Sequence, residues 1–295
     1  MRQPHFADRL HQAVAAVGSP VCVGLDPVLE RLPAAVEGGT PAERFEVFCR
    51  GVIDAVAGKA AAVKPQLACF ERYGAAGWAA YERVVDHARS AGLIVIADAK
   101  RGDIGISASH YAAALLTGDH AADAVTVNPY LGPDTLGPFI DTASRVGSGL
   151  FALVRTSNPG SDALQSLRLA DGRTVAQAVA DTIAELGTEY RGVSGDSLLG
   201  AVVGATQRDD AADLRARMPE QIFLLPGFGA QGATAEDVVA CFHPASTDGH
   251  RAARGAVVTA SRSVIYAGEE AAVPWTRAVA DAASRFADEV AAALG

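Results

Sequence analysis

Short apolar runs alternate along the chain with longer alanine-rich stretches. The runs are hydrophobic on both faces, as the buried strands of a parallel sheet are. They cover Val21–Asp26, Ala61–Lys64, Leu93–Asp98, Ala124–Asn128, Leu150–Arg155, Ala201–Thr206, Ile222–Pro226 and Ala256–Ser261. The stretches between and after them predict helices over roughly 41–58, 72–91, 105–118, 133–147, 172–190, 208–217, 233–242 and 272–294.

Eight alternating strand and helix units predict a fold of the α/β class. Parallel strands joined by right-handed helical crossovers can close into a (β/α)8 TIM barrel, which leaves no exposed sheet edge. An open, doubly wound sheet is the alternative, because the number of strands alone does not exclude it. No linker rich in proline or glycine divides the 295 residues, so we expect a single domain over 1–295, with His243–Gly255 as a polar surface insertion.

Charge and composition narrow the possible functions. The net charge of −9 argues against binding to nucleic acid or to an anionic membrane, and no apolar run approaches the ~20 residues that span a bilayer. The N-terminal residues lack the apolar core of a secretion signal. The four cysteines and seven histidines show no metal-ligand spacing. We therefore expect a protein of the reducing cytoplasm with no metal site.

The densest group of charges follows the third apolar run, in the segment Asp98-Ala-Lys100-Arg-Gly-Asp103. Asp98 and Lys100 are two residues apart, so an extended backbone would point both side chains to the same side. Nearby carboxylates keep a lysine protonated, which makes Lys100 a candidate proton donor rather than a nucleophilic amine. A solvated salt-bridge cluster is the alternative, because surface ion pairs are common and weak. Three alternating charges at the end of an apolar strand favour a functional site.

Polar residues also end most of the other predicted strands. Asp26 and Lys64 end the first two, so in a barrel they would lie beside Asp98 and Lys100. The carboxyl ends of the strands form the rim where TIM barrels carry their active sites. A structural network of paired charges is the alternative role of these residues. The two roles are compatible, because such a network also holds side chains rigidly, as catalysis requires.

The seventh unit contains Gly227-Phe-Gly229-Ala-Gln231-Gly, which matches the dinucleotide fingerprint G-x-G-x-x-G. We do not expect a dinucleotide, because the motif is not in the first unit and no strand ends in an acidic residue about twenty positions later. A phosphate cradle fits better, since glycines let backbone N–H groups approach an anion at a helix N-terminus. Arg262, just after the eighth strand, is placed to grip the same phosphate, with a surface salt bridge as its alternative role.

These motifs resemble those of the orotidine 5'-phosphate decarboxylase family, in particular its longer bacterial branch, type 2. The central motif looks like the family's D-x-K-x-x-D-I signature, and the resemblance covers about residues 20 to 266. Further segments match in the same order: Leu25-Asp26-Pro27, Val63-Lys64-Pro65-Gln66, Thr156-Ser157-Asn158-Pro159-Gly160, Pro226–Gly232 and Ser261-Arg262-Ser263. The resemblance implies conversion of orotidine 5'-monophosphate to UMP and CO₂, the last step of de novo pyrimidine synthesis, without a metal or an organic cofactor.

Four matched residues are implied to be catalytic. Lys100 would protonate C6 of the pyrimidine as CO₂ leaves, and Asp98 would face the substrate carboxylate. Lys64 would complete the chain of charges. The family is dimeric, so we expect a homodimer with shared sites, in which Asp103 reaches into the site of the partner subunit.

The other matched positions are implied to bind the substrate. Asp26 would hold the ribose hydroxyls, Ser157 would contact the pyrimidine edge, and Gln231 would grip the phosphate together with Arg262. The full set of expected binding residues is Asp26, Ile104, Ser107, Ser157, Gly229, Gln231, Ser261 and Arg262. Of these, Ile104 and Ser107 would complete the neighbouring subunit's pocket.

Two other functions stay open on the sequence alone. A magnesium-dependent sister enzyme of the keto-gulonate-phosphate decarboxylase or hexulose-phosphate synthase type shares D-x-K-x-x-D but handles open-chain sugar phosphates. A non-catalytic barrel that senses nucleotides would share the phosphate cradle. The turn at Ser157 and the loop at Gln231 favour the pyrimidine enzyme, and a complete charged motif favours catalysis over sensing.

Overall fold

Eight parallel strands close into a barrel in the computed structural model of the chain, which describes residues 3–204, 208–227, 238–244, 253–268 and 273–295. Each strand pairs with the next and β8 pairs with β1, so the closed barrel is confirmed and the open sheet is excluded. The strands are β1 Val21–Leu25, β2 Ala62–Pro65, β3 Ile94–Arg101, β4 Ala124–Val127, β5 Gly149–Arg155, β6 Leu199–Val203, β7 Phe223–Leu225 and β8 Ala256–Ala260. That residues 1–295 form one domain stays a prediction.

Helices surround the barrel. In the described part of the chain, the α-helices are α1 Phe6–Val17, α2 Pro41–Val56, α3 Leu67–Glu71, α4 Gly74–Ser90, α5 Gly105–Leu116, α6 Gly137–Val146, α7 Asp162–Gln165, α8 Val175–Gly187, α9 Arg208–Arg217, α10 Arg262–Ile265 and α11 Trp275–Leu294. None of the helices found among these residues is long and apolar enough to cross a membrane. Half of the predicted helix at 233–242 and most of the predicted insertion at 243–255 lie outside the described residues.

The barrel wall separates two hydrophobic cores. Successive strand residues point to opposite faces, so alternate residues of one strand enter different cores. In β3, Ile94 and Ile96 face the inner core, whereas Val95 and Ala97 pack outward against the helices. Both faces of each strand are therefore buried, which is the reason that the strands read as continuous apolar runs.

The N-terminal helix α1 closes one end of the barrel. Phe6, Leu10 and Val14, spaced four residues apart, join the inner core. The ring of Phe6 packs edge-on against Phe151 with centroids 5.8 Å apart, and a Cβ at Gly149 would lie only 2.2 Å from Phe6. Because the N-terminal end is filled, a ligand can enter the barrel only from the carboxyl ends of the strands.

Two strand predictions need correction. β6 covers Leu199–Val203 rather than the predicted Ala201–Thr206, and it includes Gly200, where a Cβ would lie 2.4 Å from the carbonyl oxygen of Ile222. This glycine is required by close packing between strands, not by a turn. β3 continues past Asp98 to Arg101 because Arg101 still pairs with β4. The other six predicted strands agree with the structure to within one residue at each end.

Candidate active site

The carboxylate of Asp98 lies at the centre of a charged network at the carboxyl ends of β2, β3 and β4. Its Oδ2 accepts hydrogen bonds from Lys64 Nζ at 2.6 Å and Gln66 Nε2 at 3.2 Å. Its Oδ1 accepts from Lys100 Nζ at 2.5 Å and Thr126 Oγ1 at 3.1 Å. The structure thus brings together the predicted catalytic residues of β2 and β3, and four donors satisfy one buried carboxylate.

Lys100 reaches Asp98 from an irregular backbone, so the predicted extended geometry is wrong. Its φ of 47° places a non-glycine residue in the left-handed region, and the pairing of β3 with β4 shifts register between Ala97 and Arg101. This conformation costs on the order of 1 kcal/mol. It is held by the Lys100 amide, which donates to Thr126 Oγ1 at 2.9 Å, and by the ammonium contact with Asp98. Strain of this kind concentrates at functional sites.

The two lysines on Asp98 have different surroundings. The side chain of Lys64 is 9% exposed, whereas that of Lys100 is 47% exposed. Burial acts to lower the pKa of Lys64, but the carboxylates of Asp98 and Asp26 outweigh burial and raise that pKa. Lys64 is therefore a largely buried, permanently charged partner of Asp98, and Lys100 is the more exposed of the two lysines at the cavity.

Asp98 should stabilise the folded protein only while it is ionised. Burial acts to raise its pKa, but the ammonium groups of Lys64 and Lys100 lower it from 3.8 to about 2. The contribution to the free energy of unfolding is therefore fully present above about pH 4 and is lost as the pH falls through about 2. Acid unfolding followed by circular dichroism should show a steeper loss of stability over this range in the wild type than in Asp98→Asn, which stays neutral throughout. Equal slopes would contradict the assignment.

A cavity of about 640 Å³ borders this network. Lys64, Asp98, Lys100 and Thr126 form its polar end, and Ser157 lies on its wall. Much of the remaining wall is apolar and comprises Leu153, Val154, Leu164, Val175, Val179, Val202, Leu224 and Pro226. A few convergent polar groups in an otherwise apolar cavity are typical of a small-molecule site.

Asp26 and Ser261 lie beside the network at the ends of β1 and β8. The Ser261 hydroxyl donates to Asp26 Oδ2 at 2.6 Å, while Asp26 Oδ1 is buried without a partner among the described residues.

Arg262 begins α10, is exposed, and forms no ion pair with any described residue, so its alternative role in a surface salt bridge has no support there. Gly227 has a φ of 87°, which glycine adopts readily. Gly229 and Gln231 lie outside the described residues.

The remaining predicted site residues do not reach the cavity of their own chain. Asp103, Ile104 and Ser107 are absent from the described residues that line it. The Asp103 carboxylate instead accepts the backbone N–H of Ile104 at 2.8 Å, and Ile104 is 64% exposed. In a single chain these three residues are therefore separate from the Asp98 network.

Sequence reasoning missed two members of the network. Thr126 donates to Asp98 and accepts from the Lys100 amide, and Gln66 donates to Asp98. A signal for Thr126 existed, because it is a polar residue inside an apolar run, and a buried hydroxyl requires a partner. Within the described ranges, no group of three or more His, Cys, Asp or Glu side chains is arranged to hold a metal ion, and independence from metals stays a prediction.

Comparisons of the sequence and of the fold with known proteins give the same family as the resemblance of the motifs. A family model described as "Orotidine 5'-phosphate decarboxylase / HUMPS family" matches residues 19–273. The chain is 44% identical to the orotidine 5'-phosphate decarboxylase of Rhodopirellula baltica, over 89% of this chain and 88% of that protein. It is 43% identical to that of Deinococcus radiodurans, over 99% of each. The structure of Leishmania donovani OMP decarboxylase matches with a TM-score of 0.76 at 33% identity, covering 98% of each chain.

Proposed function

Because the chain belongs to the orotidine 5'-phosphate decarboxylase family, we propose that its cavity binds orotidine 5'-monophosphate (OMP) with the pyrimidine against the Asp98 network. The enzyme converts OMP to UMP and CO₂ in pyrimidine biosynthesis. The observation that carries the proposed binding mode is the exposed ammonium of Lys100, held 2.5 Å from Asp98 at the end of the cavity. Membership of the longer, type 2 branch stays a prediction.

Lys100 acts as the proton donor. The bond between C6 and the carboxylate carbon breaks, CO₂ leaves, and the electron pair remains on C6. The Lys100 ammonium stabilises this charge, then gives a proton to C6, and the resulting amine takes a proton from water. The accessibility of Lys100 and the enclosure of Lys64 support this assignment.

Asp98 faces the substrate carboxylate. Two unit charges about 4 Å apart repel by about 4 kcal/mol at an effective dielectric constant of 20, and this repulsion ends when CO₂ departs. The low pKa of Asp98, about 2, supports its being ionised when the substrate binds. Lys64 serves catalysis by keeping this buried carboxylate charged and fixed.

The rest of the substrate extends toward β1 and β8. Asp26 holds a ribose hydroxyl in this proposal, and its Oδ1, which has no partner among the described residues, supports the assignment. In this proposal Arg262 and Gln231 bind the phosphate, Gly229 and Ser261 are further substrate-binding residues, and Ser157 contacts the pyrimidine. Binding energy from the phosphate lowers the barrier only where it is realised in the transition state.

Two chains share each site in a homodimer. Ile104, Ile106, Tyr130 and Leu131 are large hydrophobic side chains, all more than half exposed, in the segments that follow β3 and β4. A cluster of this kind favours burial against a partner. Asp103, Ile104 and Ser107, which do not line the cavity of their own chain, then complete that of the partner subunit. Among the described residues, Cys22, Cys49 and Cys69 form no disulfide, which supports the predicted location in the reducing cytoplasm.

Loss of the ultraviolet absorbance of OMP tests the proposed function directly. The purified protein should turn over OMP at the same rate with EDTA as without, because Lys100 and Asp98 supply the chemistry that a metal would otherwise supply. Absence of OMP turnover together with magnesium-dependent turnover of open-chain sugar phosphates would favour the sister enzymes. Binding of UMP without any turnover of OMP would favour a nucleotide sensor.

A further inference from the structure

The segment after β5 forms part of the cavity wall, and we call residues 156–167 the β5 arch. It includes α7 and carries Ser157, Leu164 and Gln165 to the cavity. Leu164 and Leu167, the two leucines of the arch, are 47% and 53% exposed. The arch therefore gains little from apolar burial, and its position depends on polar contacts.

Arg155, the last residue of β5, supplies three of these contacts. It is 6% exposed, and its Nη1 donates to Ser161 Oγ at 2.9 Å and to Gln165 Oε1 at 3.4 Å. Its Nη2 donates to Asp162 at 2.5 Å, and its Nε donates to Asp210 of α9 at 3.3 Å. A guanidinium presents its donors in a fixed plane. One side chain thus ties the arch both to its own strand and to the helix after β6.

The Gln165 amide holds the start of the arch at two points. Its Oε1 accepts the backbone N–H of Thr156 at 2.8 Å, and its Nε2 donates to Thr156 Oγ1 at 2.8 Å. The Thr156 hydroxyl in turn donates to Asn158 Oδ1 at 2.6 Å. Ser157 lies between these two residues and against Gly204, where an added Cβ would lie 3.1 Å from the Ser157 Cβ. Ser157 is therefore confined by its two neighbours in sequence and by Gly204 at the end of the adjacent strand β6.

We propose that Arg155 and Gln165 are positioning residues that hold Ser157 at the pyrimidine edge of the substrate. The inference rests on the proposed pyrimidine contact of Ser157. By this proposal, the hydrogen bonds of Arg155 and Gln165 contribute to recognition of the base and not to recognition of the phosphate. Loss of either side chain should therefore weaken the binding of ligands that carry the pyrimidine and should leave the binding of ligands without it unchanged.

The first test replaces Gln165 with methionine, which has a similar shape but cannot form the two hydrogen bonds to Thr156. Loss of two neutral hydrogen bonds predicts a loss of about tenfold in kcat/KM for OMP. Competitive inhibition by UMP should weaken by a similar factor. Inhibition by ribose 5-phosphate, which has no base, should stay unchanged.

Gln177→Met is the matched control. Gln177 also accepts the backbone N–H of a threonine, from Thr174 at 2.7 Å, but it does so at the N-terminus of α8 and does not line the cavity. This variant should lose thermal stability without a change in either inhibition constant. Equal weakening of UMP and ribose 5-phosphate by Gln165→Met, or no change in either, would overturn the proposal.

A double-mutant cycle shows whether the effect passes through Ser157. If Gln165 acts by positioning Ser157, Ser157→Ala combined with Gln165→Met should lose no more kcat/KM than the more damaging single change. Fully additive losses would overturn the proposal. Arg155→Lys keeps the charge but not the planar fork, so it should show the same selective loss for UMP.

Two measurements distinguish a variant that fails to fold from a folded variant that has lost function. Circular dichroism and thermal unfolding establish that each variant is folded, and if the Arg155 variants fail to fold, the Gln165 and Ser157 cycle decides the question alone. Failure of the wild type to turn over OMP would reject the proposed function itself. An active wild type with unselective variants would reject only the positioning role.

Discussion

Replacing Lys100 with alanine should lower kcat/KM for OMP by about 10⁴-fold or more while the protein remains folded. The change removes both the proton donor and the positive charge beside C6, and each of these alone is worth about 10²-fold or more. Asp98 keeps its hydrogen bonds from Lys64, Gln66 and Thr126, so its buried carboxylate is not left without partners. Steady-state kinetics measure the loss, and circular dichroism measures the fold.

The chain offers a close control for this variant. It contains three lysines, and Lys59 is the one outside the network, in the turn that precedes β2 at the opposite end of the barrel. Lys59→Ala changes the net charge by the same amount as Lys100→Ala but should leave kcat/KM unchanged. If Lys100→Ala retained activity within about tenfold of the wild type, protonation of C6 by Lys100 would be rejected, and water or Lys64 would have to supply the proton.

The barrel could be predicted from the sequence because its strands are buried on both faces. That burial produces continuous apolar runs, and the position of each strand's carboxyl end follows from the polar residues after it. Helix α1 was missed although Phe6, Leu10 and Val14 are spaced as one helix face. Its role depends on contact with Phe151, far along the chain, and the spacing within the helix does not reveal that contact.

The candidate site could be predicted only where its residues are neighbours in sequence or end adjacent strands. Asp98, Lys100 and Lys64 meet these conditions, and they are in contact. The left-handed backbone at Lys100 could not be predicted, because it follows from the register shift against β4 and from the bond to Thr126. The links from Arg155 to α9 depend in the same way on how the loops fold back over the barrel.

Mixing two inactive variants should restore activity if the sites are shared between subunits. Lys100→Ala removes the proton donor from a chain's own site, whereas Asp103→Ala removes the residue that the chain contributes to its partner. In a mixed dimer, one site loses both residues and the other keeps both. Random pairing of equal amounts makes half of the dimers mixed, so about a quarter of all sites should be intact. The mixture should therefore approach a quarter of the wild-type rate, from parents that are nearly inactive.

Heterodimers purified through two different tags make this test independent of how the chains pair, and they should show about half of the wild-type rate per dimer. The matched control pairs Lys100→Ala with a chain that carries both changes, because no site in that dimer has both residues. It should remain as inactive as the parents. Isolated heterodimers without recovered activity would reject shared sites, since every chemical group that the proposed mechanism uses is present in one of their two cavities. Recovery would establish that Asp103 acts across the subunit boundary, which explains why it does not line the cavity of its own chain.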